Sequence, residues 1–125
     1  MTQKEKQILF QDLCSRLPYG LKIQVYDNRY APTTLTAIDI KKQECIFGFN
    51  VPIENCLPYL RSMSSMTEEE SKEFALLQTD FYVDGFLYPI AATGMIDWLN
   101  AHHFDYRGLI EKGLAIEAPE GMYKN

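Results

Sequence analysis

Between residues 21 and 49 three strand-like segments follow one another with connections of only a few residues, and that brevity constrains the fold more than any other feature. Leu21, Ile23 and Val25 alternate with Lys22, Gln24 and Tyr26, the period of a half-buried strand. Asp27-Asn28-Arg29 and Pro32 mark a turn, and residues 33–40 are rich in β-branched side chains. Lys41-Lys42-Gln43 reverses the chain again, and Cys45, Phe47 and Phe49 are expected to line one face of a third strand. A parallel crossover needs a dozen or more residues, so the three segments must pair as an antiparallel meander.

Helices flank this sheet. Thr2-Gln3-Lys4-Glu5 fits a capping box, and Phe10, Leu13, Cys14 and Leu17 then recur at helical spacing until Pro18 and Gly20. Residues 50–65, with Pro52, Pro58 and three serines, read as a surface connection. A second capping box, Thr67-Glu68-Glu69-Glu70, opens a helix to about Gln78; its glutamates suit the positive end of the helix dipole better than an acidic recognition patch. Phe81-Tyr82-Val83-Asp84-Gly85-Phe86-Leu87-Tyr88 carries the Asp-Gly signal of a two-residue hairpin turn. Pro89 stops its second arm, and Thr93 caps a helix over 94–102 with Ile96, Leu99 and His103 on one face. The expected fold is α+β in a single domain over residues 1–125: an N-terminal helix on a small antiparallel β-meander, then a helical C-terminal half with a short hairpin.

The richest chemistry lies in His102-His103-Phe104-Asp105-Tyr106-Arg107. A structural role accounts for every member. The imidazoles suit a helix C-terminus, Asp105 caps a following helix over 106–112, Phe104 and Leu109 form a hydrophobic staple, and Gly113 closes that helix. Trp98, Leu99, Phe104, Leu109 and Ile110 then belong to the core or its margin, and Asp105→Asn is expected to be nearly harmless, since both residues cap well. The catalytic alternative uses His102 or His103 with Asp105, Tyr106 and Arg107 as an acid–base cluster. Against it, adjacent histidines project about 100° apart on a helix, the i, i+4 spacing of a zinc pair is absent, and no nucleophile motif accompanies them. Nothing in the sequence calls for a metal or cofactor.

Charge narrows the partners. With 12 basic against 17 acidic residues the chain carries a net charge of −5, and no basic cluster exceeds Lys41-Lys42. Duplex nucleic acid is therefore a poor partner, and a DNA-reading helix-turn-helix at the corner lacks the required cationic surround. Cys14, Cys45 and Cys56 form neither a C-x-x-C pair nor an even set, which argues against a disulfide framework and a zinc knuckle. Cys14 and Cys45 read as small core hydrophobes. Without an apolar leader or a membrane-length apolar run, the chain is expected to be cytoplasmic.

LCSRLPYG (13–20), PYLRSMSSMTEEE (58–70) and DWLNAHHFDYRGLIEKGLAIEAPEGMY (97–123) resemble a group of short proteins encoded by gut bacteria and by their phages and mobile elements. The group has no assigned activity or catalytic residues, so the resemblance implies only an accessory role in a mobile-element setting. The function expected is a non-enzymatic module that binds a protein partner. Its interaction residues would be Tyr26, Tyr30, Tyr59, Tyr82 and Tyr88, aromatic side chains with a polar tip placed in strands and loops. A small enzyme at 102–107 and a single-stranded nucleic-acid binder using the strand aromatics are the alternatives. Sheet edges left by a short meander also make a homodimer conceivable.

Overall fold

A computed structural model describes residues 1–27, 29–79, 82–83, 86–87 and 89–123, with backbone only between 78 and 92. The first helix, α1 (Gln3–Arg16), starts as its sequence requires: the Thr2 hydroxyl accepts from Glu5 N at 3.1 Å, and Glu5 Oε1 accepts from Thr2 N at 2.9 Å. A 3-10 turn over Leu17–Tyr19 ends at Gly20, which takes the left-handed conformation (φ 69°) that glycine tolerates best. The fully buried stripe of α1 is Leu9, Asp12, Leu13 and Arg16, while Phe10, Cys14 and Leu17 are only half-buried. The expected stripe is thus displaced by about one position. The cause is an ion pair inside the core, a place charged side chains seldom occupy unless paired.

Strands β1 (Lys22–Val25), β2 (Thr33–Thr34), β3 (Ala37–Asp39), β4 (Glu44–Ile46), β5 (Asn50–Pro52), β6 (Cys56–Leu60) and β9 (Ile116–Glu117) form two sheets, ordered β2-β1-β6-β9 and β3-β4-β5. The antiparallel pairs β1–β2 and β3–β4 exist, but the expected meander is split. Residues 33–40 do not make one strand: Leu35, buried and bonded through its N–H to Leu21 O at 2.8 Å, marks where the chain leaves one sheet for the other. Nor do Cys45, Phe47 and Phe49 share a buried face. The strand ends at Ile46, Gly48 turns the chain at φ 94°, and Phe49 stands at the surface.

Residues 50–65 are a correction of larger consequence. Instead of a surface connection they supply β5, 3-10 turns at Ile53–Asn55 and Met63–Ser65, and β6, an inner strand of the first sheet. Pro58 suggested a loop because proline cannot donate to a ladder. Its register explains the tolerance. Pro58 lies opposite Ile23, and strand alternation aims its donorless nitrogen at the β9 side, where pairing begins only at Tyr59↔Ile116. The same strand buries Tyr59, one of the five tyrosines expected to be available for contacts.

Helix α2 (Glu68–Thr79) begins with its capping box intact, Glu70 N to Thr67 Oγ1 at 3.1 Å and Thr67 N to Glu70 Oε1 at 2.9 Å. Strands β7 (Tyr82–Val83) and β8 (Phe86–Leu87) pair antiparallel; the Asp84-Gly85 turn and Tyr88 lie outside the described residues, as does any side-chain role of Tyr82. Helix α3 (Pro89–Ala101) starts at the proline expected to precede a helix beginning at Gly94, because a first-turn proline has φ set for a helix and lacks only an N–H that would be unbonded there. On α3 Leu99 and Asn100 are buried and Ile96 is exposed. One apolar cluster joins α1 (Leu9, Leu13), both sheets (Ile23, Val25, Cys45, Val51, Leu60) and the C-terminal segment (Leu109, Leu114). The chain is therefore α+β, with an N-terminal helix, antiparallel strands and further helices.

No helix spans 106–112. Gly108 and Gly113 both take φ 72°, and the first of these interrupts the coil a helix would need. The segment is a string of turns ending in β9, so the C-terminal half is less helical than expected.

Candidate functional site

The 102–107 segment divides three ways. At the end of α3 the N–H of Phe104 bonds Leu99 O at 3.0 Å and that of His103 bonds Asn100 O at 3.1 Å, the paired bonds of a Schellman cap. His103 occupies the left-handed position (φ 61°) where glycine is usual. Phe104 forms a parallel bridge with Arg61, with Arg61 N to His103 O and Asp105 N to Arg61 O both at 2.8 Å. Phe104 is fully buried, and the guanidinium of Arg61 lies 4.2 Å above its ring.

The two imidazoles go one way. His102 stacks on Trp98 at 4.2 Å, and its Nδ1 sits 3.3 Å from Glu70 Oε2, too poorly aligned for a hydrogen bond. Glu70 is gripped bidentately by Arg61 at 2.7 and 2.6 Å, and this grip, with the Thr67 bonds, holds its carboxyl down at about 2 against the opposing effect of burial. His103 stacks on Tyr123 at 3.9 Å. Burial foremost, then the charge of Arg16, lowers the His103 pKa to about 4, so the imidazole is neutral at pH 7; a bond with the Tyr19 backbone opposes the shift. The Tyr123 hydroxyl accepts from Lys22 N at 2.9 Å and donates to Tyr59 O at 2.7 Å. Continuing the β1–β6 register past Ile23↔Pro58 would pair Lys22 with Tyr59, so the phenol fills the next rung of the ladder. Burial raises its pKa. Both histidines line a cleft of about 290 Å³ with Lys22, Arg61 and Tyr123; a cleft of about 480 Å³ beside Glu70, Glu117 and Glu120 shares Arg61 and Tyr123 with it.

Tyr106 and Arg107 go another way. The Tyr106 hydroxyl donates to Asn100 Oδ1 at 2.7 Å, and Arg107 Nε donates to Asp12 Oδ1 at 3.1 Å. Asp12 Oδ2 accepts from Arg16 Nε at 3.0 Å, and Arg16 Nη2 donates to Phe104 O at 2.6 Å. Asp12 and Arg16 are wholly buried, and Arg16 Nη1 has no partner among the described residues. Asp105 serves its own backbone, its two oxygens accepting from Leu109 N at 2.8 Å and Ile110 N at 3.0 Å. It caps, as expected, but it caps a loop. Neither cleft is lined by Asp105, Tyr106 or Arg107, so the expected His/Asp/Tyr/Arg constellation is not brought together.

Sequence reasoning missed Asp12, Arg16, Arg61 and Glu70. Asp12 and Arg16 stand at i, i+4 beside Leu9 and Leu13, a spacing that could have signalled a pair on the core-facing side. Arg61–Glu70 had no local signal. Among the described residues no group of three His, Cys, Asp or Glu could hold a metal ion. Cys14, Cys45 and Cys56 are free thiols; a bond with Cys56 and burial raise the Cys45 pKa, and burial raises that of half-buried Cys14. No described helix is long and apolar enough to cross a membrane.

A second candidate site is built from aromatic rings. Tyr26 and Tyr30 lie 6.4 Å apart, Tyr30 and Phe49 5.9 Å, and Phe49 and Phe47 4.8 Å, each pair tilted by 50–59°. Tyr30 and Phe49 are 45% and 44% exposed. The rings are carried by the β1–β2 connection and the β4–β5 turn, with Tyr26 at φ 51° and Asp27 at φ 50°. Left-handed backbone at two successive non-glycine residues is costly and tends to persist where function requires it. Bonds from Tyr26 N to Asn55 O and from Arg29 N to Tyr26 O, both at 3.1 Å, pin the loop. Two of the five expected interaction residues, Tyr26 and Tyr30, thus meet on one surface and recruit Phe47 and Phe49.

No family model, no curated protein and no solved structure matches this chain.

Proposed function

We propose that this protein is a non-enzymatic interaction module that binds another protein through the Tyr26–Tyr30–Phe49–Phe47 patch, in an accessory role for a phage or mobile element. The observation that carries the reading is the contiguous array of four rings with two near half exposure. Aromatic side chains are the usual anchors of protein interfaces, because they supply large contact area for little lost side-chain freedom. The test is capture of partners from the native host with the wild-type chain and with Tyr30→Ala/Phe49→Ala. A partner retained by the first and lost by the second supports the patch; retention by both overturns it.

A second reading, a small enzyme, draws on one observation: His102 and His103 share a cleft, and a carboxylate stands 3.3 Å from His102 Nδ1. In that reading His102, held by stacking on Trp98, is the acid–base group and Glu70 is its charged neighbour. His102→Gln would then abolish turnover of any substrate found while leaving the patch partner bound.

A further inference from the structure

We infer that residues 119–123 form a strap with two positions. In the latched one the Tyr123 phenol is inserted between β1 and β6; in the lifted one those strands pair directly and the two clefts are joined. The inference stands apart from both readings above, since it concerns how the clefts open and not what enters them.

The strap starts from a fixed point. Ala118 N bonds Leu60 O at 2.7 Å, continuing β9 along β6. Beyond it Pro119, Glu120 and Gly121 are exposed, and the backbone bonds within itself, Met122 N to Pro119 O at 3.1 Å. Gly121 takes φ 82° with open space where a Cβ would stand, so glycine gives the chain a hinge there. Tyr123 then turns back as the latch. Its ring covers His103, stacked at 3.9 Å, and its hydroxyl bridges Lys22 N at 2.9 Å and Tyr59 O at 2.7 Å.

That bridge is what makes a second position available. Antiparallel partners alternate between hydrogen-bonded and non-bonded pairs. The bond from Tyr26 N to Asn55 O therefore puts Gln24↔Leu57 and, one step further, Lys22 and Tyr59 on bonded rungs. The phenol occupies a rung that the two strands can close themselves. Once it leaves, the Lys22 N–H and the Tyr59 carbonyl bond each other, and neither is left stranded. An element with two satisfied arrangements can switch between them.

Lifting changes the clefts. Arg61 and Tyr123 are the walls common to the cavities of about 290 and 480 Å³. Arg61 is clamped by Glu70 and lies over Phe104, so it is the fixed wall. Tyr123 is the movable one. Its departure uncovers His103, only 4% exposed when latched, and joins the His102/His103 cleft to the one beside Glu117 and Glu120.

The test is carbethoxylation of the whole chain by diethyl pyrocarbonate over a urea series, with modified histidines identified by mass spectrometry, beside amide hydrogen exchange by NMR. In the wild-type chain His103 should react more slowly than His102, at a rate flat at low urea, because local opening exposes little surface. Tyr123→Ala should speed His103 by about tenfold or more, as a local opening made permanent does. The Lys22 amide should stay protected in that variant, its N–H now bonded to Tyr59 O, whereas a phenol that merely fills a gap would leave it unprotected. Reaction of His103 only in urea that unfolds the whole chain overturns the inference. So does an unprotected Lys22 amide in Tyr123→Ala, or loss of its folded spectrum, since a strap that lifts is not a support without which the fold fails.

Discussion

The corner at 102–107 and the patch at 26–49 make opposite use of polar and aromatic side chains. At the corner, Asp105, Tyr106 and Arg107 are occupied by partners within the chain, two of them on α1 or α3. In the patch, Tyr26 and Phe47 rest against the core, and the rings they carry on their outer side, Tyr30 and Phe49, stand nearly half exposed. A segment dense in titratable groups looks reactive in sequence, yet here most of those groups are internal fasteners. Ordinary aromatics scattered over two turns look like packing, yet they converge on the surface. Density of chemistry along the chain is thus a weaker guide to function than whether side chains keep free valences once folded.

The largest expected effect breaks the fastened side. Asp12→Ala leaves Arg16 wholly buried and strips Arg107 of its carboxylate, and removing one partner of a buried ion pair costs about 3–5 kcal/mol. Chemical denaturation measures it. A loss below about 1 kcal/mol would mean that the network does not hold α1 to the corner.

Acid should act on the same region. Above about pH 6.5 folded and unfolded chains both carry a neutral His103. Between 6.5 and the folded value of about 4 only the unfolded chain takes up the proton, so stability present above that window is lost as the pH falls through it. At about 1.4 kcal/mol per pH unit the loss approaches 3 kcal/mol. The groups acting on the imidazole are Arg16 from α1, Arg61 after β6, neighbouring His102, and the Tyr19 backbone opposing them. Glu70 works at lower pH: its contribution, present above 4.5, disappears toward about 2. His103→Asn keeps a residue that tolerates left-handed backbone and should flatten the slope between pH 6.5 and 4. An unchanged slope would assign the acid sensitivity elsewhere.

These internal fasteners also show how much was legible in the sequence. Both capping boxes, the burial of Phe104 and Leu109 and the hairpin pairing followed from local rules and hold, whereas Gly113 is left-handed without a helix to close. Failures came where distant partners override local preference. Pro58 is tolerated in an inner strand because the neighbour on its donorless side starts one residue later. Residues 33–40 split because the sheet changes at Leu35, and the Arg61–Glu70 pair exists only once β6 meets α2. The aromatic patch was half legible: Tyr26 and Tyr30 stood out, but their meeting with Phe47 and Phe49 depends on how two sheets abut.

Asp105 gives a finer test. A residue at an ordinary helix start tolerates Asp→Asn, whereas here both carboxylate oxygens are used, one for Leu109 N and one for Ile110 N. An amide offers a single acceptor and aims a donor at the second N–H. Asp105→Asn should therefore cost about 1–2 kcal/mol instead of nothing, the range of an unmet buried donor. Indistinguishable denaturation midpoints would restore the simpler capping picture.

The smallest effect belongs to the open side. Phe49→Ala removes a ring that is 44% exposed and touches Phe47 and Tyr30, so the stability lost should be about 1 kcal/mol, the scale of its aromatic pairing. A core phenylalanine costs about 3–5 kcal/mol when truncated in the same way. A denaturation loss in that upper range would make Phe49 part of the core and cancel the contrast with the corner. A small loss accompanied by disappearance of partner capture would sharpen it, because the ring would then matter chiefly for something outside the chain.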